Sequence, residues 1–104
     1  MMPAYRDFTL SHGVKTGRLA VWREGDNLDV MVERDTLVKV RGDLVVISLR
    51  VDSQGNRTVT NNALKQIFPK DRVYLYRDKA KTFIWVNGAS YPFKGTHLIQ
   101  GGVL

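Results

Sequence analysis

Cysteine is absent from the 104 residues, which excludes disulfides, thiolate nucleophiles and cysteine-ligated zinc together. Only two histidines occur, His12 and His97. They stand far apart and in no HExxH-type or paired-ligand arrangement, so each reads as a turn or surface residue and not as a ligand or base. A nucleophile-elbow motif, a P-loop and a dinucleotide fingerprint are missing too. Asp26, Asp43 and Asp52 fall in separate turns and lack the spacing of a calcium loop. An aspartate-based metal site, a small ribonuclease built on His97 with Lys94, and a lone nucleophile all lack convergent groups. The chain therefore reads as a non-enzyme, with no cofactor and no metal.

Long apolar runs are also lacking. None reaches the ~18 residues that a membrane span needs, and the start MMPAYRDFTLSHG does not have the basic-then-apolar order of a secretion signal. A cytoplasmic protein, in the producing or host cell and without membrane contact, is expected. With no repeat, linker or low-complexity tract, and with 43% hydrophobic residues, residues 1–104 suit one domain around one core.

Acidic residues are scarce in one half only. Up to Asp52, eight Lys or Arg balance eight Asp or Glu, whereas from Ser53 onward eight bases (Arg57, Lys65, Lys70, Arg72, Arg77, Lys79, Lys81, Lys94) face only Asp71 and Asp78. The whole formal charge of +6 resides there. Seven of the ten aromatics (Phe68, Tyr74, Tyr76, Phe83, Trp85, Tyr91, Phe93) share that half, so a field that attracts polyanions coincides with π surface.

What is present reads as strands and turns. Residues 5–10 make a short strand candidate. In 14–34, Gly25 begins a two-residue loop of type II′, which sets Val21 against Val30 and Leu19 against Val32 inside, with Arg18 against Glu33 and Trp22 against Asp29 outside. Residues 36–51 repeat the device around Gly42-Asp43, placing Val40 against Val45 and Val38 against Ile47. The tripeptide Arg41-Gly42-Asp43 is thus a hairpin turn and not an adhesion motif. Ser53-Gln54-Gly55-Asn56 reads as a further turn and 57–60 as a returning strand, and without a secretion signal the acceptor pattern Asn56-Arg57-Thr58 is idle. One helix is expected near 61–68, capped by Thr60, Asn61 or Asn62, striped by Ala63, Leu64, Ile67 and Phe68, and ended by Pro69. It would plug a barrel end. A last strand at 90–93 carries Pro92, which suits a sheet edge, and the tail THLIQGGVL packs on its own domain or pairs with a neighbouring copy.

The stretch 71–87, DRVYLYRDKAKTFIWVN, organises the rest. With the reversal at Lys79-Ala80, alternation of side chains puts Val73, Leu75, Ile84 and Val86 on one face and Tyr74, Tyr76, Phe83 and Trp85 on the other. The fold predicted is all-β: a small antiparallel barrel, with the layout of an oligonucleotide-binding or SH3-like barrel, or a bent sandwich of six to eight strands with one short helix. The likeness is one of layout and rests on no motif.

Two functions compete. Rings on which bases stack, flanked by cations for the phosphates, suit single-stranded nucleic acid; the residues are Arg72, Tyr74, Tyr76, Arg77, Lys79, Lys81, Phe83 and Trp85. Alternatively the four rings fill a second packed layer. The chain is then a protein-interaction or assembly module of a virus or mobile element, such as a capsid or tail accessory or an inhibitor. It would meet a partner or a second copy through edge strands and the C-terminal tail.

Overall fold

The computed structural model describes residues 19–32 and 35–100. The strand candidate at 5–10, His12, the Arg18–Glu33 pair and the last four residues lie outside them. Eight strands and one helix follow in the order β1 (Leu19–Glu24), β2 (Asn27–Val32), β3 (Asp35–Arg41), β4 (Leu44–Ser48), α1 (Gln54–Ile67), β5 (Val73–Asp78), β6 (Lys81–Val86), β7 (Ala89–Pro92) and β8 (Thr96–Gln100). They form two antiparallel sheets, one of five strands in the order β1-β2-β3-β4-β8 and one of three in the order β5-β6-β7.

The first two hairpins close as their turn residues dictate. Gly25 and Gly42 take φ of +58° and +60°, the left-handed first position that a type II′ turn reserves for glycine. Val21 meets Val30 and Trp22 meets Asp29, and Val38 meets Ile47 and Val40 meets Val45. Between β2 and β3 the register shifts by a residue, and Leu37 and Val38 are both buried as a result. Such a bulge bends the strand, which helps the five-stranded sheet curve over its contents.

Those contents form a single core. Leu28, Val30, Val40, Ile47 and Ile99 from the large sheet, Val59, Ala63 and Leu64 from α1, and Val73, Leu75 and Ile84 from the small sheet belong to one apolar cluster. The helix packs on β5 and also reaches β2 and β3. Among the described residues no closed barrel forms, because the chain splits its strands between two sheets and places the helix against both.

The helix is longer than its sequence suggested. It begins at Gln54, where the Ser53 hydroxyl accepts from the Asn56 N–H at 3.1 Å, so the cap is Ser53 and not Thr60, Asn61 or Asn62. Residues 53–60 are neither turn nor strand. Asn56, Val59, Thr60, Ala63 and Leu64 are all buried, a spacing of three and four that continues the buried stripe about two turns upstream. Burial of that face outweighs the turn preference of Gly55 and Asn56. The Asn56 amide donates to the Val51 carbonyl at 2.9 Å, which ties the helix to the chain entering it.

Two further side chains fix the small sheet. The Asn61 carboxamide faces the outer edge of β5, where Oδ1 accepts from the Leu75 N–H at 2.7 Å and Nδ2 donates to the Leu75 carbonyl at 3.0 Å. Thr82, buried on β6, donates to Asp52 Oδ2 at 2.5 Å. Asp52 also pairs with Arg57. Burial pushes the Asp52 carboxyl up; the hydrogen bonds from Thr82 and Arg57, with the fields of Arg57 and Arg77, outweigh this and hold it below the usual carboxylate range.

The C-terminal segment joins its own domain. Phe93 N–H donates to the Thr82 carbonyl in the small sheet, and two residues later the Gly95 carbonyl accepts from Leu49 in the large one. Gly95 makes that corner at φ +100°. THLIQ then becomes β8, paired with β4 from Leu44–Gln100 to Ser48–Thr96.

Candidate nucleic-acid interface

The hairpin at 73–86 has the register its alternation required: Tyr74 opposite Trp85, Leu75 opposite Ile84, Tyr76 opposite Phe83 and Arg77 opposite Thr82. Lys79 and Ala80 both take positive φ, +52° and +66°, as a type I′ turn demands of both central residues. Neither is glycine. The ladder and its packing hold this turn against a left-handed penalty of roughly 1–2 kcal/mol per residue.

The inward face is sealed, with Val73, Leu75 and Ile84 buried. The outward rings are all half-buried. Tyr74 and Trp85 stack with centroids 6.1 Å apart at 19°, Tyr76 and Phe83 at 5.5 Å and 21°, and Tyr74 lies 6.0 Å from Tyr76. Strand β7 widens the surface: Ser90 stands opposite Trp85 and Pro92 opposite Phe83. Tyr76 reaches across β6 to hydrogen-bond Ser90 through its hydroxyl. The surface thus has two rows, Tyr74–Trp85–Ser90 and Tyr76–Phe83–Pro92, its rings ordered by one another while their outer surface stays accessible to solvent.

The cations divide. Lys81 shares the parity of Phe83 and Trp85, and Lys79 is exposed in the adjoining turn. Arg72 has the parity of the two tyrosines at the far end, where its carbonyl accepts from Asn87 N–H. Arg77 does not belong with them. It has the parity of Leu75, stands opposite Thr82 and contributes to the field at Asp52, so it lies on the other face from the rings. Strand alternation alone carried that information.

Lys94 was not among the residues expected at this site. It follows Phe93, whose N–H bonds the Thr82 carbonyl, and lines with Lys81, Thr82, Phe83, Pro92 and Phe93 one cleft of about 360 Å³. The signal was the strand around Pro92, whose pairing with β6 carries the ring rows onward to Lys94. A second cleft of about 370 Å³ lies at the other end, lined by Asn61, Lys65, Asp71, Val73 and Tyr74.

No protein-family model, curated protein or solved structure matches this chain significantly. The arguments below rest on the site itself. Among the described residues no group of three or more His, Asp or Glu side chains gathers to hold a metal, and no helix is long and apolar enough to cross a membrane. His97 lies on β8 with its ring 5.8 Å from Tyr91, an aromatic contact at the sheet corner.

Proposed function

We propose that this chain is a small, non-catalytic binding module for single-stranded nucleic acid, and that the outer face of β5, β6 and β7 is its platform. One observation carries the reading: four half-exposed rings in two stacked pairs occupy one sheet face, with Lys81 and Lys94 at one end and Arg72 at the other. Bases stack on such rings whatever their identity, and phosphates are held by the flanking cations. From Lys81 to Asn87 the face is about 20 Å long at roughly 3.3 Å per residue, which suits about four nucleotides, the low end for a small β domain.

The test is an anisotropy titration with short labelled oligothymidylate and oligouridylate over a range of salt. Binding at low salt is expected, with log K falling against log salt at a slope of about −2, as roughly three neutralised phosphates give for single strands. Absence of binding at low salt overturns the proposal.

A second reading, assembly with a protein or a second copy, is supported by one feature. Leu98 on β8 is 60% exposed, and β8 ends its sheet among the described residues, an edge that invites another strand. Sedimentation at rising concentration separates the two, because a strictly monomeric chain that takes up oligonucleotide has no need of self-assembly.

A further inference from the structure

Two lysines meet where the ring rows end. Lys94 lies two residues past Pro92, just after the Phe93–Thr82 hydrogen bond, and lines the same cleft as Lys81. Like charges gathered in one cleft repel each other. Neither lysine forms an ion pair among the described residues. Asp78 stands opposite Lys81 on its other side without bonding it, and no acid lines the cleft the lysines share. The arrangement is two cations in one cleft over a shelf made by Phe83 and Pro92, with Asp78 across from Lys81 as the one neighbouring acid of the hairpin end.

We infer that the Lys81–Lys94 cleft is a subsite for a terminal phosphate of a single strand, with the adjoining base over Phe83 and Pro92. The inference rests on the reading that the platform binds strands, and deepens it by giving the strand an end. Three observations support it together. A terminal phosphate carries about −1.5 to −2 at neutral pH, more than a bridging diester, which matches two cations. The cleft, at about 360 Å³, falls in the range of small-ligand sites, roughly 300–1,000 Å³, and so holds a single nucleotide unit. Beyond it β6 gives way to the turn at Lys79, so a strand laid along the rings runs out at the lysines. The cleft beside Tyr74 offers no such match, since Asp71 opposes Lys65 there and the Asn61 amide is committed to Leu75.

The experiment compares one oligothymidylate carrying a 5′-phosphate, a 3′-phosphate or neither, bound to the parent protein, to Lys94→Gln and to Lys39→Gln. Lys39 is an exposed lysine on the outer face of the other sheet, so its loss removes the same charge elsewhere. One phosphorylated form is expected to bind the parent about five- to tenfold tighter than the unphosphorylated strand, as a charge-assisted contact provides. That advantage disappears in Lys94→Gln and persists in Lys39→Gln. Equal affinity of the parent for all three strands overturns the subsite while leaving strand binding intact. If no strand binds, thymidine monophosphate and thymidine are titrated while amide shifts are followed. Shifts at Lys81, Phe83 and Lys94 with the monophosphate alone uphold the cleft as a nucleotide site without a strand track, and their absence overturns both readings.

Discussion

The two sheets share one core and differ in what they turn outward. On the large sheet the outer face is charge-matched: Arg41 bonds Asp29 through both nitrogens at 2.8 and 3.2 Å and lies 5.4 Å from the Trp22 ring centre. Arg50 forks onto Asp35 at 3.0 Å twice. On the small sheet the outer face holds stacked rings and, at one end, Lys81 and Lys94, which form no ion pair among the described residues although Asp78 stands opposite Lys81. Internal pairing suffices to explain the first surface. The second leaves both π area and positive charge unused by the fold, which is the physical basis for assigning it a ligand.

If the inner faces are truly one core, equivalent truncations from either sheet should be equally damaging. Ile84→Ala and Ile47→Ala, each removing a fully buried side chain, are expected to lower stability by about 2–5 kcal/mol in urea titrations. A loss confined to one of them breaks the single-core description. The outer faces should instead behave unequally. Trp85→Leu keeps apolar bulk but removes a stacking surface, and is expected to weaken oligonucleotide binding by about 1–3 kcal/mol. Trp22→Leu, on an exposed residue of the other sheet, should leave affinity unchanged and forfeit only the contact with Arg41, about 0.5–1 kcal/mol of stability. Equal effects on affinity would erase the distinction between the sheets.

The smallest expected effect is a dependence on pH. The folded-state carboxyl of Asp52 lies below its ordinary value, so it contributes stability above the unfolded pKa, near 4, and loses it as pH falls through the folded value. The unfolding midpoint of the parent should fall in that acid window more steeply than that of Asp52→Asn, which lacks the titrating group. Asp35, lowered by its hydrogen bond from Arg50, provides the matching comparison on the large sheet. Because Asp35 is held by Arg50 alone whereas Asp52 accepts from both Thr82 and Arg57, Asp35→Asn should flatten the acid limb less.

The hairpins were legible because their information is local. Gly25 and Gly42 mark the reversals, and alternation decides which side chains share a face, so the aromatic surface could be drawn residue by residue. Arg77 was grouped with the rings by charge and by sharing their strand, and its parity with Leu75 places it on the opposite face. The start of the helix was hidden because Ser53, Gly55 and Asn56 serve a turn as well as a cap, and the stripe that decides between them depends on surfaces that β2, β3 and β5 supply. The pairing of β8 with β4 joins residues about fifty positions apart, and nothing near Thr96 names its partner. Lys94 was missed for the same reason: its place beside Lys81 depends on a neighbouring strand. Whether the strands would close into a barrel or divide as in a bent sandwich was open in the sequence, and the separation into two sheets follows from these distant pairings together.

The carboxamide on α1 that answers both backbone groups of Leu75 occupies the position another strand would take. On the opposite border Pro92 offers no donor. Each border of the small sheet thus carries a feature that disfavours docking of a further strand, so the ring surface is bounded by devices that oppose its widening.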